Sequence, residues 1–569
     1  METIDVQLKK YIFNNLGIKS HREILLWKEK RDTRSYWINN ISEAAKLIIS
    51  FKNKRVTICG DYDTDGTSAI TIIYRTLITL GFTKVNCKIP RRFSDGFGLK
   101  TSMIEDIPDG LIITVDNGIA ALEAIALAKE KGLTTIVTDH HEAIVENGER
   151  LLPDADIIID PKAIPNSAEY NGYCGAGLAY RLAEELLYTY GNTEQQKILK
   201  PLMSICAIGT VGDVMELHEE NYWFVKYGLD YLNKGITFVG IKQLLEQFGI
   251  TEIDEDTLGY YLSPALNSSG RLLDDGAKYS ASLMMLDNGI KTMELAKFTY
   301  QNNNRRKTLK SEAVEKARTY ITENSLENAP AFVINLPGTE EGIVGIVAGD
   351  LSDEDTGYGV PAIIVTESKE NPNYLKGSAR SIDGINIKEC LDQLADLLVV
   401  YGGHAGAGGL TIKKSDFETF AKKFTQIVSN YPNSSTKKET KYFEIKPTEF
   451  KDAIALLKEY APFGEGNKKP VFKTTTNPIP VKTQDGESSV LLLGKDKETV
   501  KIILGEDTAA IGFKFGKEFA NTESDQKANI DEITLYGNLS ENVFRDTVTY
   551  QILFKTYNAK YFAEQLTLF

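Results

Sequence analysis

Three acidic runs could build a metal-dependent active site. Asp61, Asp63 and Asp65 fall within five residues in DYDTDG, Asp116 stands in VDNG, and Asp139, His140 and His141 are consecutive in TDHH. Carboxylates crowded together repel one another unless cations neutralise them. A donor set rich in oxygen, with one or two imidazoles and no cysteine, suits Mn²⁺ or Mg²⁺ better than structural zinc. Two such ions roughly 3.5–4 Å apart can activate water and stabilise the leaving oxygen of a phosphoryl ester. Each run alone has a plainer explanation. DYDTDG reads as a turn or a fragment of a calcium loop that lacks the spaced glutamate, Asp116 as a helix cap, and His140–His141 as a surface pair. The conjunction decides in favour of a site.

The elements that must position these residues are short apolar runs rich in β-branched residues: Arg55–Gly60, Lys84–Ile89, Leu111–Val115, Thr134–Thr138 and Ile157–Ile159. Helix-period stretches such as Thr67–Leu80 and Leu122–Lys131 separate them. Buried strands alternating with helices predict a parallel sheet covered on both faces. In such sheets the functional crevice lies beyond the carboxyl ends of the strands. Three of the strands end at Asp61, Asp116 and Asp139 and so deliver their side chains to one edge.

The predicted fold class is α/β, in five parts. A helical lead (1–50, with helices at Ile24–Lys30 and Ile41–Phe51) precedes a parallel-sheet domain over 51–289. A long connecting helix (290–325, drawn from Ile290 to Asn324) leads to a second, smaller α/β domain over 326–430. Residues 430–441 (NYPNSSTKKETK) read as a polar linker. Short β runs beyond it, such as Val490–Leu493, Val500–Leu504, Ala509–Phe513, Glu532–Gly537 and Thr549–Phe554, predict an oligonucleotide-binding (OB) type β-barrel in 431–569. No internal repeat is evident.

At 569 residues the chain exceeds one ordinary core. No apolar run approaches the roughly 20 residues of a membrane helix, and the N-terminus has no apolar signal core, so a cytoplasmic protein with no membrane partner is expected. Five scattered cysteines without a CxxC pair argue against a disulfide framework and a structural zinc site. The net charge of −14 demotes nonspecific coating of duplex DNA, yet leaves room for a narrow channel with local basic stretches such as Arg305–Lys310.

DYDTDG, VDNG and TDHH, with GTVGDVMEL at Gly209–Leu217, are similar in order and separation to the four motifs of the DHH phosphoesterase superfamily. The resemblance implies metal ligands at Asp63, Asp65, Asp116, His140 and Asp213 for two divalent cations, Mn²⁺ or Mg²⁺. It makes Asp61 and Asp139 supporting carboxylates and turns His141 toward the scissile phosphate. Gly212 and Glu216 depart from the commoner pattern, at positions that are not ligands.

IPRRFSDGFGL, PALNSSGRL, EGIVGIVAGDL, KGSARS and YGGHAGAGGL resemble segments of the RecJ family, and APFGEGNKKPVF resembles the start of its barrel. They imply phosphate contacts from Arg92, Arg271, Ser378, Arg380 and His404; guanidinium forks and glycine amides suit phosphate oxygens. The implied activity is hydrolysis of single-stranded DNA from its 5′ end to mononucleotides, in DNA repair or recombination. A single-strand-binding protein or a helicase would be candidate partners. Rival readings are a DHH phosphodiesterase of short oligonucleotides or cyclic dinucleotides, and a noncatalytic DNA-binding replication scaffold. CGAGLAYRL (Cys174–Leu182) lacks a P-loop lysine, and its glycines are assigned to close helix packing, outside the site.

Overall fold

The computed structural model describes residues 4–15, 36–354, 356–431, 441–483, 486–494, 496–519, 530–544 and 547–561. The expected helix Ile24–Lys30 and most of the expected linker fall outside the described residues. The chain forms two compact units. One comprises 31–215 and 219–436; the other comprises 1–30, 216–218 and 437–569.

The larger unit begins with five parallel strands, β1 (Val56–Gly60), β2 (Val85–Lys88), β3 (Leu111–Val115), β4 (Thr134–Thr138) and β5 (Ile157–Ile159). Their order is β2-β1-β3-β4-β5. β1 and β3 are buried at every residue, as expected of strands covered on both faces by helices. Register aligns Gly60 with Val115 and Val115 with Thr138. The three residues that follow, Asp61, Asp116 and Asp139, therefore leave three adjacent strands side by side.

Behind this edge pack α1 (Thr64–Thr79), α2 (Gly175–Tyr190) and α3 (Leu199–Gly212). The connecting helix α4 runs Gly289–Glu323, 35 residues capped by Asn288, whose side chain accepts from the amides of Ile290 and Lys291 at 3.1 Å each.

The second domain is a five-stranded sheet of β6 (Phe332–Asn335), β7 (Ala362–Glu367), β8 (Tyr374–Arg380), β9 (Leu398–Gly403) and β10 (Ala407–Lys413), with helix α5 (Glu341–Ser352) against it. Only β6 and β7 are parallel; the rest of the ladder is antiparallel. KGSARS thus lies within a strand, and YGGHAGAGG is a hairpin whose turn carries His404.

In the smaller unit, seven strands form one sheet whose middle holds two 15-residue arms, Ile530–Phe544 and Thr547–Tyr561. The expected runs Glu532–Gly537 and Thr549–Phe554 are the middles of these arms. The expected 1–50 lead is not one piece. Leu8 and Ile12 of the helix Ile4–Asn15 are buried in the core that holds Phe450, Phe472 and Ile552, whereas Ile41–Ser50 packs on α2 in the larger unit.

Candidate active site

Each acidic motif reaches the sheet edge by its own device. Asp61 follows β1 and is fully buried; its Oδ1 accepts from the Gly98 amide at 3.3 Å, and its Oδ2 has no partner among the described residues. Asp63 caps α1, accepting from the Gly66 amide at 2.9 Å. Asp65 sits in the first turn of α1, and its carboxylate accepts from the amides of Gly175 and Ala176 at 2.7 and 2.9 Å. The amino end of α2 therefore fixes one carboxylate of the cluster, where peptide dipoles favour negative charge. The sequence pattern assigns the glycines at this helix start to packing. They do both, because a Cβ on Gly175 would run into the Asp116 side chain. The anion that this helix end holds is the protein's own Asp65.

Asp116 leaves β3 with a left-handed φ of 60°, which turns its carboxylate to 3.0 Å from His140 Nε2. The same nitrogen lies 3.8 Å from Asp65 and 3.7 Å from Asp213, the residue that ends α3. Two overlapping sets of donors result. Asp65, His140 and Asp213 offer atoms within 4.8 Å of one another, and so do Asp116, His140 and His141. Four of the five ligand candidates, Asp65, Asp116, His140 and Asp213, thus come together. Asp63 is in neither set, though its charge bears on Asp61, Asp116 and Asp213. His141, expected only to face the phosphate, is near enough to join the second set.

The electrostatics are those of a site made for cations. Burial, then the charge of Asp63, pushes Asp61 up to about 8. Burial, then Asp65, pushes Asp213 up to about 8 and raises Asp63 and Asp116 as well. Burial lowers His140 to about 4, so its imidazole is neutral near pH 7 and free to donate a lone pair. Burial opposes the charge of His141, but the 2.7 Å contact with Asp139 outweighs it and lifts His141 to about 9. The Asp139 carboxylate is in turn lowered: burial is outweighed by His141, and the Ile119 amide donates at 2.9 Å. A buried carboxylate oxygen without a partner among the described residues, mutual repulsion among aspartates, and two donor sets of carboxylates and imidazoles sharing His140 together fit a pair of divalent ions.

A cationic wall adjoins this cluster. Burial, then the charges of Arg92, Arg306 and Arg380, lowers Arg271 to about 9. Guanidinium groups gathered in this way demand an anion. Arg92 lies over the Tyr62 ring at 4.5 Å, and its loop is tied down by Asp274, which accepts from the amides of Phe93 and Ser94. Arg380 donates to Ser378 Oγ at 2.8 Å, and a Cβ on Gly345 of α5 would stand 3.0 Å from that Oγ. His404 is exposed, its Nδ1 accepting from the Gly406 amide at 3.2 Å, and it is lowered by burial and by the charge of Arg380. Arg306, unmarked in the sequence beyond a basic stretch, is held by Asn303 at 3.0 and 3.1 Å.

Residues 55–210 match the DHH family N-terminal domain, 328–430 the DHHA1 domain and 443–556 the RecJ OB domain. The chain is 31% identical to the single-stranded-DNA-specific exonuclease RecJ of Bacillus subtilis, over 88% of this chain and 64% of the relative. It is 28% identical to the Haemophilus influenzae protein of the same name, over 90% of this chain and 89% of that one. The crystal structure of Thermus thermophilus RecJ in complex with Mn²⁺ aligns with a TM-score of 0.73 at 25% identity, covering 92% of this chain and 72% of that one. In chain order, the protein is thus similar to the DHH family N-terminal domain, the DHHA1 domain and the RecJ OB domain.

Proposed function

We propose that the protein is a divalent-metal-dependent exonuclease that hydrolyses single-stranded DNA from its 5′ end and releases mononucleotides. The observation that carries this reading is the meeting of two complementary surfaces within one compact unit. Asp65, Asp116, His140 and Asp213 converge at the sheet edge, and Arg92, Arg271 and Arg380 cluster beside them. An acidic cluster alone would suit any metal hydrolase; the arginines add the anion. The likeness to relatives named for single-stranded-DNA-specific exonuclease activity, and the RecJ OB match over 443–556, support the polymer substrate. The chain spans 64% of the length of the Bacillus subtilis relative.

Asp65, Asp116, His140 and Asp213 would hold two divalent cations, with Asp63 as a further ligand and Asp61 and Asp139 in support. Bound there, such ions supply an activated water and charge neutralisation at the leaving oxygen. Mn²⁺ and Mg²⁺ both fit these donors, and related structures hold each of them. The chain's own groups do the rest. Ser378, Arg380 and His404 receive the 5′-terminal phosphate, and Arg92 and Arg271 orient the adjacent phosphodiester. His141, held protonated by Asp139, presents a proton to the scissile phosphate. Single-stranded DNA is the partner that these features define. A cytoplasmic location in a DNA repair or recombination role fits the same reading.

A strand labelled at one end tests it. With Mn²⁺ present, a 5′ label is expected in mononucleotides from the first moments, and a 3′ label in a ladder of shortening fragments. Release of the 3′ label first would overturn the direction. Hydrolysis confined to dinucleotides or cyclic dinucleotides would favour the smaller phosphodiesterases.

A further inference from the structure

A fourth strand end meets the same sheet edge without belonging to any of the motifs above. β5 pairs with β4, Ile159 opposite Thr138, and the chain continues as Asp160-Pro161-Lys162. Asp160 is almost wholly buried, and its Oδ1 accepts from the amides of Lys162 and Ala163 at 3.0 and 2.8 Å. This Asx-type turn fixes the backbone of Lys162 to the end of β5. The residue's place is thus set by the sheet rather than by a mobile loop.

Its ammonium group stands beside the end of the TDHH motif. Lys162 Nζ lies 3.8 Å from Oε1 of Glu142, the residue after His141. Its charge also bears on His140 and Asp213 of the first domain and on His404 of the second. Glu142 is a weak rival for that charge, since its side chain is 65% exposed and such surface pairs contribute little. A compact cation held beside the TDHH motif, whose charge bears on two histidines and an aspartate, is placed for an anion at this edge.

We propose that Lys162 is a further phosphate-binding residue, taking a nonbridging oxygen of the strand where it lies between the aspartate cluster and His404. The inference rests on the phosphodiester reading of the site. Lys162 supplies charge that the arginine wall does not, from the β5 end of the sheet edge. Asp160 acts through it as a positioning residue.

Steady-state hydrolysis of a 5′-phosphorylated oligodeoxythymidylate by the full chain with Mn²⁺, across a series of NaCl concentrations, tests this. Lys162→Met is expected to raise KM roughly tenfold with kcat little changed, in line with the loss of one charge-assisted hydrogen bond. The slope of log KM against log salt should fall by about 0.7, the share of one single-strand phosphate contact. Lys162→Arg should restore most of both, and Glu142→Gln should leave KM unchanged or lower it. An unchanged KM and salt slope in Lys162→Met, beside normal wild-type hydrolysis, overturns the assignment. So does an equal rise in KM in Lys162→Met and Glu142→Gln, which would mark a structural ion pair. No hydrolysis by the wild type would defeat the phosphodiester reading itself, and this proposal with it.

Discussion

Asp116 shows how much one residue can carry. Its left-handed backbone turns the carboxylate to His140, and Gly175 packs closely against its side chain. Asp116→Ala is expected to lower hydrolysis at least a thousandfold, the scale of a lost catalytic metal interaction, with a circular dichroism spectrum like the wild type. The raised carboxylates make a second expectation. Burial pushes Asp61 and Asp213 up to about 8 from the ordinary 3.8, so between those limits the folded chain binds more protons than the unfolded one. Stability of the metal-free protein is therefore full below about pH 4 as far as these groups go, and falls as pH rises toward 8. His141, lifted to about 9 from 6.5, acts in the same direction at higher pH. Thermal melts in a chelator should show the midpoint falling from pH 6 to pH 8, and added Mn²⁺ should raise it more at pH 8 than at pH 6. An equal gain at both would contradict the cluster's electrostatics. Asp61, Asp116 and Asp139 were legible in the sequence because each ends a strand of the same sheet. The amides of Gly175 and Ala176, Arg306 and Lys162 were not, because their roles arise from contacts across the fold that no local pattern encodes.

Elements decide which of these residues meet. Parallel strands were readable from β-branched runs, and β3, β4 and β5 have the limits that the sequence suggested. The second domain was less legible: Tyr374–Arg380 carries Lys, Gly, Ser and Arg in place of apolar alternation, so its strand character comes from pairing with β7 and β10. That pairing holds Ser378 and Arg380 two residues apart on one face, toward α5. Gly345→Ala would place a methyl 3.0 Å from Ser378 Oγ and 3.3 Å from Arg380. It is expected to reduce the preference for 5′-phosphorylated over 5′-hydroxyl ends about tenfold, the scale of one charge-assisted contact, while hydrolysis persists. Arg380→Ala should do the same more strongly. Equal rates on both kinds of end in the wild type would remove Ser378 and Arg380 from the role of a phosphate pocket.

At the scale of the whole molecule the chain forms two units, one holding the acidic cluster and the arginines beside it and the other a seven-stranded sheet. Aromatics of the second unit could not be ranked in the sequence, since strand aromatics look alike whether they fill a core or meet solvent. The structure ranks them. Phe463 and Phe472 are core, Phe515 packs on Phe554 at 5.0 Å, and Phe513 stands 61% exposed at the end of its strand. Phe513→Ala is expected to weaken binding of long single strands by about 1–3 kcal/mol, the range of one base-stacking contact, and to leave dinucleotide hydrolysis intact. Fluorescence anisotropy with labelled single strands checks it. Every such effect presupposes the cation pair at the edge of the parallel sheet. Titration of the purified chain with Mn²⁺, followed by electron paramagnetic resonance, measures that pair directly. Two spin-coupled Mn²⁺ ions per chain are expected, with at least one lost in Asp116→Ala; a single uncoupled ion, or the same two ions in both proteins, would contradict the account.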